Sequence, residues 1–175
     1  MTKLICAAAV FAAVAFAGPA MAQSTASTTG TGSITVIRPL TITKNADLKF
    51  GTIVRPSTGS GTVVVSAAGA RTVTGGVVGL VSGDAPQASQ FTIDGEGGQS
   101  ISVTVPATFT MANGTDTLTV TTNNNLLGSA GAQTLSNALG SAGLLVFKVG
   151  GTVPIASTAV TGTYTGTFTV SAAYN

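Results

Sequence analysis

The chain has 175 residues, of which 44% are hydrophobic and 7% are charged, and it contains neither histidine nor tryptophan. This composition excludes a coiled coil and a charged disordered tail. With only five carboxylates and no histidine, most acid–base and metal-dependent chemistries lack their usual groups. The net charge of +2 is too small to attract nucleic acid. We therefore expect that the protein is not an enzyme, and that it binds no cofactor, no metal and no small-molecule substrate.

The first 22 residues have the features of a secretory signal peptide. Lys3 gives a positive start, residues 4–17 form an apolar stretch, and residues 20–22 fit the A-x-A cleavage pattern. The apolar stretch is shorter than the ~20 residues that span a bilayer. We predict an exported protein that begins at Gln23 and passes through the periplasm to the cell surface or the medium. The single cysteine of the chain lies inside this signal peptide, so no disulfide is expected.

The next segment, residues 23–33, is polar and rich in glycine, serine and threonine, so we expect it to be flexible. After it, Ile34 and Val36 point to the same side of an extended chain, until Pro39 ends the alternation. This segment is either a frayed tail before a first strand or a donor strand, running to residue 36, that pairs with a neighbouring molecule. Residues 34–175 are predicted to form a single β-sandwich domain.

Strand-forming residues dominate the rest of the chain. Threonine and valine favour pleated strands, and glycine and asparagine interrupt the apolar runs about every ten residues. This spacing predicts an all-β, immunoglobulin-like antiparallel sandwich. The predicted strands are residues 33–37, 40–43, 48–50, 62–65, 77–81, 91–93, 101–105, 109–111, 118–121, 144–149, 152–155 and 164–174. Only residues 131–139 resemble a helix, and that stretch is short.

Two polar turns are predicted to close hairpins. Asn113 and Gly114 form a favoured type I′ pair, which would place Phe109 opposite Leu118. The acidic, glycine-rich residues 94–98 are interpreted as a hairpin turn rather than a calcium loop, because strands flank them on both sides.

A third hairpin is predicted at Gly150 and Gly151. Folding about this pair would place Phe147 opposite Pro154. Because proline has no N–H to donate to a neighbouring strand, the strand after the turn is expected at the edge of a sheet.

The last predicted strand has the most regular alternation in the chain. One face carries mainly threonine, and the other is mainly apolar. The apolar face consists of Tyr164, Gly166, Phe168, Val170, Ala172 and Tyr174. This pattern is typical of a strand that buries one face in a core.

Three short motifs, taken in order, resemble a known family. They are residues 48–51 (LKFG), 91–95 (FTIDG) and 162–170 (GTYTGTFTV). Together they resemble the domain-of-unknown-function family 4402, which is itself similar to the spore-coat-U-type subunits of archaic chaperone-usher pili. Pilins of that class commonly have a penultimate aromatic residue and a glycine at the fourteenth position from the end, where this chain has Tyr174 and Gly162.

The resemblance implies a structural role. In such pilins an incomplete sandwich leaves an apolar groove beside an unpaired edge, and the N-terminal segment of a neighbour completes it as a donor strand. It implies a secreted subunit of a fimbrium-like assembly, whose partners are other copies or related subunits, a periplasmic chaperone and an outer-membrane usher. The implied assembly residues are Ile34, Val36, Gly162, Tyr164, Phe168, Val170 and Tyr174. The alternative is a self-contained secreted or cell-surface β-sandwich that binds a ligand or coats the envelope.

Overall fold

A computed structural model describes residues 24–127 and 131–175, so the predicted signal peptide lies outside the described residues. Within these two ranges the chain forms twelve strands and no helix, which confirms the predicted all-β antiparallel sandwich. The described ranges accordingly contain no helix that is long and apolar enough to cross a membrane. Residues Thr35–Asn175 form one compact unit.

The strands form three antiparallel sheets. The strands are β1 (Thr41–Ala46), β2 (Ile53–Val54), β3 (Ser60–Val65), β4 (Arg71–Thr74), β5 (Val78–Gly79), β6 (Ser89–Glu96), β7 (Ser100–Thr104), β8 (Thr108–Asn113), β9 (Asp116–Asn124), β10 (Ala132–Thr134), β11 (Ala142–Ala156) and β12 (Ser171–Tyr174). The large sheet has the order β1-β6-β11-β3-β4, and the hairpin β8–β9 joins it through β11. The order β10-β7-β12 makes a second sheet, and β2 pairs with β5.

The main core lies between the large sheet and the three-stranded sheet. Phe91 and Ile93 of β6 and Phe147 of β11 pack with Ile101 and Val103 of β7, and all five side chains are buried. The rings of Phe91 and Phe147 stack with their centroids 5.4 Å apart. Each pair within a strand is two residues apart, as the alternation of a strand requires. Burying each of these side chains contributes about 1.5–3 kcal/mol.

A second apolar cluster lies on the β3, β9 and β11 side of the fold. Its buried members are Val63, Val77, Val120, Val153 and Ile155. Half-buried apolar side chains pack around it, among them Phe50, Phe109, Met111 and Leu118. These surrounding side chains are only partly covered, so part of the border of this cluster is open to solvent.

The hairpin predicted at Gly150 and Gly151 is wrong, because both glycines lie inside the single 15-residue strand β11. The first half of β11 pairs with β6, the second half with β3, and its middle with β9. A Cβ on Gly151 would lie 2.7 Å from Val120 Cγ1, and one on Gly150 would collide with the Val65 carbonyl oxygen. The glycines are therefore needed for close strand approach, not for a turn. Pro154 also lies in β11, paired with β3, and not in a separate edge strand.

The asparagine–glycine hairpin exists between β8 and β9, but its register differs from the predicted one by two residues. Met111, rather than Phe109, lies opposite Leu118, and the turn residues are Gly114 and Thr115. Gly114 has a φ of 61° and Thr115 does not have a positive φ, which fits a type II′ turn rather than type I′. A shift by two residues keeps each side chain on its face, so the apolar face is the predicted one.

The last predicted strand is regular only at its end. Ser171–Tyr174 pairs with β7, and before it Thr165 makes an isolated bridge to Ala112 of β8. The predicted alternation nevertheless holds, because Tyr164 and Phe168 are half-buried while the threonines between them are exposed. The sequence pattern therefore predicts which side chains of this segment face the protein, but not which part of its backbone is paired.

Two shorter predictions are also wrong. Residues 131–139 contain strand β10 in place of a helical turn, and this strand pairs with β7. The turn after Glu96 connects β6 with β7, which belong to different sheets, so it is a crossing between layers and not a hairpin. Both errors arise because short segments take their structure from long-range partners.

Candidate functional site

A groove of about 720 Å³ opens into the second apolar cluster. Its floor is formed by Val63 of β3, Met111 of β8, Leu118 of β9, and Val153 and Ile155 of β11. Met111 and Leu118 lie opposite each other in the β8–β9 hairpin. Residues of one strand that are two apart face the same side, so the alternation of four strands brings these apolar side chains together.

Two segments form the walls of the groove. The first wall is residues 48–55, which include Phe50, and the second wall is residues 159–168. The ring of Phe168 lies 5.0 Å from the ring of Phe109, centroid to centroid. The second wall is therefore attached to the hairpin β8–β9 by aromatic packing.

The chain that continues from the second wall presents an unpaired edge. Residues 166–170 belong to no strand, and in the described part of the chain their backbone makes no hydrogen bond to another backbone group. From Thr167 to Val170 the side chains still alternate between exposed and half-buried, as in a strand. Unpaired backbone groups beside an apolar groove are a template on which a further extended chain can pair.

Asp116, in the turn region of the β8–β9 hairpin, holds the second wall in place. Its carboxylate accepts a hydrogen bond from the Tyr164 hydroxyl and another, of 3.0 Å, from the Val160 N–H. The hydrogen bond from Tyr164 lowers the pKa of Asp116, and the carboxylate in turn raises the pKa of Tyr164. The Arg55 guanidinium of the first wall donates to the Ala159 carbonyl oxygen, so the two walls are joined at one end.

We expect the second wall to loosen in acid. Because the pKa of Asp116 is lowered on folding, its stabilising contribution is complete above the ordinary value of 3.8 and is lost as the pH falls through the folded value. For Tyr164, whose pKa is raised, the contribution is complete below 10.0 and is lost as the pH rises through the folded value. Urea unfolding of Asp116→Asn should show a lower midpoint than the wild type at neutral pH, and the difference should shrink in strong acid.

A matched control for this prediction is Asp94→Asn on β6, which removes a carboxylate away from the groove walls and should leave the midpoint nearly unchanged. Equal midpoints of Asp116→Asn and the wild type at neutral pH would contradict the holding role of Asp116.

The charged residues at the groove mouth pair with one another. Lys44 Nζ contacts the Asp47 carboxylate, and Lys49 Nζ lies 3.5 Å from the Asp84 carboxylate. The hydrogen bond from Lys44 lowers the pKa of Asp47. Exposed pairs of this kind contribute little to stability, because water and salt screen their attraction. The mouth is therefore suited to an occupant without charges.

The predicted assembly residues of the C-terminal part lie in two places. Gly162, Tyr164 and Phe168 line the groove, whereas Val170 and Tyr174 pack against the main core. Gly162 has a φ of 142°, and a Cβ there would lie 2.5 Å from the side chain of the asparagine that precedes the β8–β9 turn. Glycine is required at this position for both reasons.

The other two predicted assembly residues precede β1. Residues 24–34, taken by themselves, form no strand and are exposed, and the Ile34 side chain is 88% exposed. Val36 belongs to the compact unit and is 82% exposed. Covering two such β-branched side chains would contribute about 1.5–3 kcal/mol for each of them.

Sequence reasoning missed the roles of two carboxylates. No local pattern assigns a role to Asp116, and the sequence predicts Glu96 only as part of a turn. Glu96 is 3% exposed and accepts hydrogen bonds from the backbone N–H groups of Gly140 and Arg38. The hydrogen bond from Gly140, with a further one from Arg38, lowers the pKa of Glu96. The only local signal for a role of either residue is that the chain has so few carboxylates. Their hydrogen-bond partners are distant in sequence and form no local pattern.

Comparison with known proteins places the chain in a family. The sequence model of DUF4402, a domain of unknown function, matches residues 40–174. This range is most of the chain, so the protein belongs to the DUF4402 family, as the three motifs predicted. The match includes both walls and the floor of the groove. No curated protein and no solved structure matches the chain.

Proposed function

We propose that this protein is an exported structural subunit that polymerises by strand donation. In this proposal the donor segment, residues 24–36 of one copy, lies in the groove of the next copy. The observation that carries it is an open apolar groove beside the unpaired edge of residues 166–170, in a chain that also exposes Ile34 and Val36. The groove lacks a strand beside residues 166–170, and the donor segment is an alternating segment that is not part of a sheet.

The two surfaces match in chemistry. The donor segment contains no charged residue, and the lysines at the groove mouth are already paired with carboxylates. Ile34 and Val36 project to one side of an extended chain with a spacing of about 6.7 Å, so both can enter the apolar floor near Met111 and Leu118. Their backbone groups can then pair with residues 166–170, which gives affinity, while the floor gives specificity.

Export and assembly partners belong to the same proposal. The signal peptide predicted in the first 22 residues would deliver the subunit to the periplasm, where an open apolar groove invites aggregation. We therefore include a periplasmic chaperone that covers the groove and an outer-membrane usher that exchanges it for a donor segment. The resemblance to archaic chaperone-usher subunits supports these two partners.

A graft tests the proposal. A second copy of the donor segment, placed after Asn175 through a flexible linker, should give a soluble monomer with a higher melting temperature than the ungrafted protein. The linker must run back along the last segment to Phe168, six residues before Tyr174 or about 20 Å. About 16 glycine and serine residues have a root-mean-square length of that size or slightly more.

The control graft carries serine in place of Ile34 and Val36 in the added copy, and it should not raise the melting temperature. The proposal is wrong if the ungrafted exported protein is already a stable monomer whose amides at residues 33–37 resist hydrogen exchange. That outcome would favour the self-contained β-sandwich instead.

A further inference from the structure

The root of the donor segment is held at Arg38 by both of its backbone groups. The Arg38 N–H donates to Glu96 Oε2 at 3.2 Å, and the Arg38 carbonyl oxygen accepts from the Tyr174 hydroxyl at 2.8 Å. The Arg38 guanidinium also lies 3.7 Å from the same carboxylate and 3.4 Å from the Gly140 carbonyl oxygen. A surface arginine thus has its main chain and its side chain fixed at one point.

The two partners of Arg38 also hold each other. The Tyr174 hydroxyl accepts a 2.7 Å hydrogen bond from the Glu96 N–H, and the second carboxylate oxygen of Glu96 accepts from the Gly140 N–H. A Cβ on Gly95 would lie 2.6 Å from the Tyr174 hydroxyl oxygen, so glycine lets the ring approach β6. We call Glu96, Tyr174 and Arg38 the root clamp. It joins the end of β6, the C-terminal strand and the residue through which the donor segment is connected to the domain.

The root clamp is far from the groove. Phe91, a groove-lining residue of β6, is five residues from Glu96 in the same strand, which is about 17 Å. Val36 is two residues from Arg38 and Ile34 is four, so their Cα atoms reach at most about 7 Å and about 14 Å from it. The two side chains together therefore cannot occupy the groove of their own molecule while Arg38 is held.

We propose that Glu96 and Tyr174 are positioning residues that keep the donor segment out of its own groove and present it to another copy. This inference rests on the proposed function, because it assigns the clamp a role in the same strand donation. The clamp has no direct contact with a donated strand. It acts through Arg38, by fixing the point from which the segment leaves the domain.

Release of the clamp changes what the segment can reach. The free chain would then extend back to Thr41, where pairing of β1 with β6 begins. Lys44, at the groove mouth, is three residues from Thr41, or about 10 Å, and Val36 is five residues from it, with a reach of about 18 Å. Insertion into the molecule's own groove would then compete with donation to a neighbour.

The test uses the full chain with Tyr174→Phe, which removes only the hydroxyl, and Glu96→Gln, which keeps the shape of the side chain. Asn175→Ala is the matched control, since it removes other C-terminal hydrogen bonds, to Ser100 and Ser102, but none to the clamp. We expect each clamp variant to polymerise at least about tenfold more slowly. Losing a hydrogen bond to a charged or buried group weakens the clamp by about tenfold or more, and the released segment can then enter its own groove instead of a neighbour's. The control should polymerise at the wild-type rate.

A distance measurement separates positioning from general stability. Spin labels at Thr35→Cys and Thr119→Cys, with Cys6→Ser so that no other thiol remains, report where the root of the segment lies relative to β9. In monomers also carrying Ile34→Ser and Val36→Ser, we expect one narrow distance distribution with the clamp intact and a broad one with Tyr174→Phe. Equal distributions and equal polymerisation rates in both clamp variants and the wild type would overturn the inference.

A synthetic peptide of residues 24–37 distinguishes this inference from the proposed function. It should bind the Ile34→Ser, Val36→Ser protein with the same affinity whether or not Tyr174→Phe is present, which shows that the groove is intact. Weaker binding to the Tyr174→Phe protein would assign Tyr174 to the groove itself and overturn its positioning role. If the peptide binds neither protein, the proposed function fails, while the label distances still decide whether the clamp fixes the segment.

Discussion

Replacing Ile34 and Val36 together with serine is expected to abolish polymer formation. Both side chains are highly exposed in the single molecule, so their loss costs its fold little. In the assembly each would be buried, and losing two such burials removes about 3–6 kcal/mol of binding free energy. Subunit affinity should therefore fall roughly a hundredfold to ten-thousandfold, as measured by sedimentation of the purified protein over a concentration series.

The matched control for this substitution is Ser33→Ala with Thr35→Ala. These residues alternate with the two apolar ones and would face away from the groove floor. The control should change subunit affinity less than about tenfold, because exposed positions rarely contribute more than about 1 kcal/mol. Polymers of normal length from the serine variant would show that this segment is not the donor.

The substitution Met111→Asp is expected to abolish acceptance of a donor strand. Met111 is only half-buried on the groove floor, so a carboxylate there stays hydrated in the single molecule and the fold tolerates it. A donor strand would cover that carboxylate and remove its water, which costs several kcal/mol when no partner replaces the water. We expect at least about a thousandfold loss in binding of the donor peptide. Met111→Leu, which keeps the volume, should bind nearly as the wild type.

Mixing the two deficient proteins gives a sharper result than either alone. The Ile34→Ser, Val36→Ser protein keeps its groove, and the Met111→Asp protein keeps its donor segment. An equimolar mixture should form one-to-one complexes and nothing longer, because the complex has neither a usable donor nor a usable groove left. Long polymers in the mixture, or no complex at all, would contradict strand donation.

The local alternation of the sequence determined most of the apolar faces. The predicted face from Tyr164 to Tyr174 is half-buried at every position except Gly166. The apolar face of the β8–β9 hairpin is also as predicted, although its register differs by two residues. This succeeds because the alternation in a strand depends only on the pleat of its own backbone. The family was also evident from three short motifs, and the match over residues 40–174 confirms it.

The pairing of strands was decided by tertiary structure. Gly150 and Gly151 predict a turn by local preference, but the close approach of β3 and β9 to β11 requires glycine at the same positions. The two explanations cannot be separated in sequence, since a glycine pair is compatible with both. Which neighbour lies beside a strand depends on contacts between residues far apart in the chain.

The candidate site divides in the same way. The sequence by itself determined an uncharged segment with Ile34 and Val36 on one side, and an alternating C-terminal segment, because both are local patterns. Only the tertiary structure showed the groove, the unpaired backbone of residues 166–170, and the positions of Glu96 and Asp116. Each of these arises where segments distant in sequence meet, and a carboxylate acquires its hydrogen-bond partners only when the fold brings them within about 3 Å of it.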